Sequence, residues 1–115
     1  MTPPHRILVC GGRDFNDEAR LASVLNGYAV AEIIQGGARG ADRLAFEWAA
    51  NNLVPTRTFP AAWDLHGKAA GPIRNHQMLR EGKPDLVIAF PGGRGTAHMV
   101  SIAKAAGITV IEVTA

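Results

Sequence analysis

The sequence predicts a Rossmann-like α/β domain: a three-layer sandwich with a mostly parallel sheet of about five strands. Three observations carry this. Four apolar runs are continuous rather than alternating, the pattern of strands buried on both faces. Helix-like segments separate them, which argues for parallel strands joined by right-handed crossovers. Three of the runs pass straight into glycine-rich turns. The 115 residues, 47% of them hydrophobic, suit a single domain over 1–115 whose core needs no metal or disulfide.

The elements follow in order. "RILVC" (6–10) is the first strand. Residues 16–27 form a helix with Asn16 as N-cap and Leu21, Val24 and Leu25 on one face. "AEIIQ" (31–35) is the second strand, and 41–51 the second helix, with Leu44 and Trp48 four apart. "TRTF" (56–59) is a weaker strand. "PAAWDLHGKAAGP" (60–72) is irregular, and so long a connection in so small a domain is often functional. Residues 72–81 form a helix opened by Pro72 and stopped at Gly82. "DLVIAF" (85–90) is a strand. Residues 96–106 form a helix that groups Met99, Ile102, Ala103 and Ala106 and stops at Gly107. "TVIEV" (109–113) is the last strand.

Composition narrows the function classes. Cys10 is the single cysteine, which excludes an internal disulfide and fits a reducing, cytoplasmic setting. The first residues lack the apolar stretch of a signal peptide, and no run approaches the ~20 apolar residues of a membrane span. A net charge of +2 is compatible with an anionic ligand, but too small to argue for nucleic acid alone. No set of His, Cys and carboxylate residues has metal-ligand spacing, so neither a metal nor a cofactor is expected.

The glycine turns carry the functional signal. They are "VCGGRDF", with Gly11 and Gly12; "IIQGGARGAD", with Gly36, Gly37 and Gly40; and "AFPGGRGTA", with Pro91, Gly92, Gly93 and Gly95. In a parallel sheet all three lie at the carboxyl edge, where ligands bind. Glycine admits close backbone approach, and the following helix aims free N–H groups at the same place, which favours phosphate. Each turn carries an arginine, Arg13, Arg39 or Arg94, whose planar fork matches phosphate or carboxylate. No G-x-x-x-x-G-K-[ST] and no G-x-G-x-x-G after the first strand occurs, which disfavours a P-loop NTPase and ordinary NAD binding.

"GGRDF", "GGARGADRLA", "GPIRNHQML" and "PDLVIAFPGGRGTA" together resemble the SLOG superfamily of Rossmann-like domains, and within it the small single-domain YspA/YpsA-related branch. The resemblance spans about residues 6–113. It implies a pocket for nucleotides or nucleotide-derived ligands and the pairing of two copies as a homo-oligomer, without fixing one activity. "GGARGAD" is similar to a motif of the DNA-processing protein DprA, which binds single-stranded DNA. "PGGRGT" resembles the PGGxGTxxE motif of the LOG phosphoribohydrolases, which cleave base from ribose 5′-phosphate. The Arg-Lys pair of those enzymes falls on Arg74 and Asn75, so the lysine is missing. Their catalytic glutamate falls on Met99, which can neither donate nor accept a catalytic proton. The LOG mechanism is therefore not carried over, while the cradle of Gly92, Gly93, Gly95 and Thr96 remains.

The expected site is thus a phosphate on the three turns, neutralised by Arg13, Arg39 and Arg74, with a hydrogen bond from Thr96. Three carboxylates are candidates for a hydrolase: Asp14, Asp42 and Asp64. Against catalysis, Asp14 or Asn16 is read as capping the next helix, and Asp42 as serving the helix dipole; Asp42 is alternatively a ribose ligand. His98 is read as an exposed residue on the first turn of its helix, with proton donor or phosphate contact as the alternative. Trp63, His66 and Lys68 either fold over the pocket, to stack on a base and meet a phosphate, or form a surface loop pinned by Trp63. Cys10 is read as a small core residue. A nucleotide-like ligand is favoured over N-glycosidic hydrolysis, and both over single-stranded DNA.

Overall fold

A computed structural model describes residues 3–114. It contains one five-stranded, all-parallel sheet in the order β3-β2-β1-β4-β5. The strands are β1 (His5–Cys10), β2 (Val30–Gln35), β3 (Thr56–Thr58), β4 (Leu86–Ala89) and β5 (Thr109–Glu112). Four lie where the apolar runs predict them, and β3 lies at the weaker "TRTF". The chain steps outward from β1 through β2 to β3, then returns to pair β4 on the other side of β1. The strand order therefore reverses between β1 and β4, where Leu8 stands beside Val87 and Cys10 beside Ala89.

That reversal sends the helices to opposite faces. Alternate side chains of a strand point to opposite sides, so Ile7 and Val9 of β1 meet one helix layer while Leu8 and Cys10 meet the other. The first layer is α1 (Glu18–Leu25) and α2 (Ala41–Asn51), packed through Leu21, Leu25, Ala41, Ala45 and Ala49. The second contains α4 (Ala70–Gln77), its π-turn extension Met78–Gly82, and α5 (Arg94–Ala105), contributing Met78, Met99 and Ala103. This is the Rossmann-like three-layer sandwich. Small side chains let α2 lie close to the sheet; Leu44 and Trp48 cover its flank half-buried.

Several boundaries differ from expectation for identifiable reasons. Asp17, not Asn16 or Asp14, caps α1: its Oδ1 accepts from the Arg20 N–H at 3.0 Å, and Asn16 contributes only its carbonyl, to Glu18. Helix α4 starts at Ala70, which places Pro72 third in its first turn, where a missing N–H costs nothing. The stretch 60–72 is largely helical, holding α3 (Trp63–His66) and a 3-10 turn, Gly67–Ala69. β5 is an edge strand with Thr109, Ile111 and Glu112 exposed, rather than buried on both faces. Ala106 lies just past α5 and is exposed.

Candidate functional site

The three glycine turns meet. The Gly12 N–H donates to the Pro91 carbonyl at 2.8 Å, tying the β1 turn to the β4 turn. The Ala41 N–H donates to the Gly12 carbonyl at 3.2 Å, tying the start of α2 to the same point. Gly40 has φ +80° and packs against the Gly12 carbonyl, so both its backbone angle and its neighbour require glycine. A Cβ on Gly12 would stand 2.9 Å from the Pro91 oxygen and 3.1 Å from the Gly92 Cα. These glycines join the turns to one another.

Beside that junction lies a cavity of 620 Å³. It sits at the carboxyl edge by the β1–β4 reversal, the usual ligand position in such sheets. Cys10 contributes at the end of β1, Asn75 and Met78 from α4 and its extension, Gly93 just before α5, and Arg94 to Thr96 and His98 from α5. A second hollow of 420 Å³ adjoins it, lined by Gly36, Gly37, Arg39, Pro60 and Ala61. Arg13, Ala38, Trp63 and Arg74 line both.

The larger cavity is cationic. Arg13, Lys68, Arg74 and Arg94 line it against one carboxylate, Asp42. The start of α5 has no side-chain cap, so its first N–H groups face outward with the positive end of the helix dipole. Gly93 and Gly95 differ from Gly12: a Cβ on either would meet no atom within 4 Å, and neither has a positive φ. Neither packing nor backbone strain demands glycine there.

Arg74 is fixed. Its Nη1 donates to the Gly36 carbonyl at 2.8 Å and its Nε to Asn75 Oδ1 at 3.1 Å. Burial lowers its pKa, while the Asp42 charge opposes that; arginine stays charged. Asn75, only 4% exposed, passes the order onward. Arg74 Nε can only donate, so the amide oxygen faces it. The Nδ2 group then donates to the Gly95 carbonyl at 3.2 Å and to His98 Nδ1 at 3.0 Å. His98 Nδ1 must accept, which leaves the imidazole proton on Nε2. Burial, and the His76 ring at 5.3 Å, hold its pKa below the usual histidine value. His98 is thus a half-buried, oriented wall residue, not the exposed one expected.

The carboxylates separate. Asp42 is buried, and its Oδ2 accepts from the Gly36 and Ala38 N–H groups, both at 3.2 Å. Burial raises its pKa; the Ala38 N–H, Arg74, the Gly36 N–H and Arg13 oppose this. Asp14 is 96% exposed at its side chain and pairs with Arg39 at 3.4 Å, outside the cavity. Asp64 and His66 are exposed on α3 and line neither hollow, whereas Trp63 and Lys68 of the same stretch do line the cavity. The Arg13 guanidinium lies 5.5 Å from the Trp63 ring centroid. Cys10, on the cavity floor, has its thiol pushed up to about 12, chiefly by burial and then by Asp42. It stays protonated near neutrality and is no nucleophile there. Among the described residues no group of three His, Cys, Asp or Glu side chains could hold a metal.

The YspA, cpYpsA-related SLOG family model matches residues 5–66. The chain is also 38% identical over 121 residues to the Gene 61 protein of Mycobacterium phage D29, covering 93% of this chain and 94% of that protein. The chain belongs to the YspA, cpYpsA-related SLOG family. In this SLOG domain the position of the LOG glutamate, Met99, is fully buried against the sheet. It is position 98 that faces the cavity. The helix period carries this signal: Met99 and Ala103 share the buried stripe, and 98 lies about 100° round from 99. The Asn75–His98 pair and the place of Cys10 on the floor had no comparable local signal, because two or more elements build each.

Proposed function

We propose that this SLOG domain binds a nucleotide or nucleotide-derived phosphate ligand in the 620 Å³ cavity. The observation that carries the reading is electrostatic. Four cationic side chains and one carboxylate line the cavity, beside an uncapped helix start whose two glycines open onto empty space. A phosphate on the α5 N–H groups satisfies all three features. Gly93 and Gly95 let it approach, Arg13, Arg74 and Arg94 neutralise it, Lys68 closes over it, and Thr96 donates a hydroxyl. Gly11, Gly12 and Pro91–Gly92 hold this cradle against Gly40. Trp63 offers a face for a base.

Binding is favoured over turnover because the reactive groups are occupied. Asp42 Oδ2 already accepts two backbone N–H groups, His98 Nδ1 is taken by Asn75, and the Cys10 thiol stays protonated. Isothermal titration against a panel of purine and pyrimidine 5′-phosphates tests the proposal. Saturable one-to-one binding to at least one member is expected; no heat with any, from folded protein, overturns it.

One observation supports a second reading, N-glycosidic hydrolysis. Asp42 is a carboxyl of raised pKa inside the cavity, the environment of a catalytic acid. It predicts free base on chromatography, abolished by Asp42→Asn with binding retained. Single-stranded DNA gains no such support: Trp63 is the one Trp, Tyr or Phe lining either hollow, too few for a stacking platform. No described helix is long and apolar enough to cross a membrane.

A further inference from the structure

The two hollows share one wall. Arg13, Ala38, Trp63 and Arg74 border both. Arg74 is anchored between them by the Gly36 carbonyl on one side and Asn75 on the other. Arg13, over the Trp63 ring, stands at the same boundary. The pair therefore concentrates positive charge at the junction, and the half-buried position of Arg74 reduces its screening by water. Beyond it, the smaller hollow offers the exposed Arg39, whose Nη2 also meets Asp14 Oδ1 at 3.4 Å. Its backbone N–H groups at Gly36, Gly37 and Ala38 are spent on Asp42 and Gln35. A group entering it would thus be met by the Arg39 side chain and the Pro60 and Ala61 surfaces rather than by a backbone phosphate cradle.

We propose that the ligand is two-armed: a nucleoside 5′-diphosphate esterified to a second polar group, such as a sugar. Its nucleoside 5′-phosphate occupies the larger cavity. Its second phosphate crosses the Arg13–Arg74 junction, and its second group occupies the hollow of Arg39, Pro60 and Ala61. A mononucleotide uses half of this groove. The inference rests on nucleotide binding in the larger cavity.

The test uses base-matched pairs in isothermal titration: AMP against ADP-ribose, UMP against UDP-glucose, GMP against GDP-mannose. With the cognate base, the diphosphate-linked partner is expected to bind at least tenfold tighter, one per chain. Arg39 and Ala61 line the smaller hollow and not the larger cavity, so Arg39→Ala and Ala61→Phe change the former of the two. Each should erase most of that advantage while leaving the mononucleotide affinity within twofold. Equal affinity within every pair that binds overturns the inference but leaves mononucleotide binding standing. So does a stoichiometry of two mononucleotides per chain, which would make the hollows independent sites. No binding by any of the six overturns both readings.

Discussion

Gly95→Ala separates a glycine kept for the fold from one kept for a ligand. The new methyl has no atom within 4 Å to strike, and Gly95 has no positive φ. It is the second residue of α5, where alanine is favoured over glycine by up to ~1 kcal/mol in a helix interior and less at the first turn. The folded protein should gain about 0.5 kcal/mol, raising Tm by about 2 °C for a domain of this size. Binding should move the other way. The methyl occupies the space through which a phosphate reaches the α5 N–H groups, and losing one charge-assisted hydrogen bond costs about 1.5–3 kcal/mol. That is roughly a ten- to hundredfold weaker Kd. Gly12→Ala is the contrasting control: its methyl meets the Pro91 oxygen at 2.9 Å, and such overpacking costs about 1–3 kcal/mol of stability. Thermal melts and titration of both variants are the assay. A Gly95→Ala protein that binds nucleotide as well as the parent would refute the placement of the phosphate on α5.

Three further outcomes follow from the geometry. Cys10 should resist iodoacetamide at pH 8 in the folded protein and react within minutes in denaturant, because burial holds its pKa near 12; rapid labelling of the folded form would contradict the buried floor. His98 has a folded pKa below its unfolded 6.5, so its contribution to stability is complete above pH 6.5 and lost as pH falls below it. Between pH 7.5 and 5 the parent should therefore lose more Tm than His98→Gln, and identical slopes would contradict the burial of the imidazole beside His76. Restoring the glutamate of the LOG motif with Met99→Glu should not create a hydrolase. A carboxyl at a fully buried site costs several kcal/mol or becomes protonated, so the variant should melt well below the parent and release no base.

The sheet was legible because its strands are continuous apolar runs; period and length alone locate β1, β2 and β4. The glycine turns were legible as a set because a parallel sheet puts all such turns at one edge. What failed was local detail settled by competition. Asp17 outcompetes Asn16 for the cap because its carboxylate reaches the Arg20 N–H. The stretch 60–72 reads as a loop, since its glycines and prolines interrupt any period, yet it forms two short helical turns. Within the candidate site, Arg13, Asp42, Arg74 and Thr96 line one cavity. Asp14 and Asp64 do not, because their exposed side chains lie outside the cavity on neighbouring segments. The tautomer of His98 lay beyond sequence altogether, being fixed by an amide that an arginine on another helix orients.

That Arg13, Lys68, Arg74 and Arg94 line one cavity with a single carboxylate, Asp42, has a thermodynamic corollary. Like charges held at close quarters store repulsion, and Arg13 already weighs against the charge on Arg74. Whatever anion enters is welcomed twice, by its own contacts and by the relief of that mutual antagonism, so ligation and folding are coupled through one electrostatic debt.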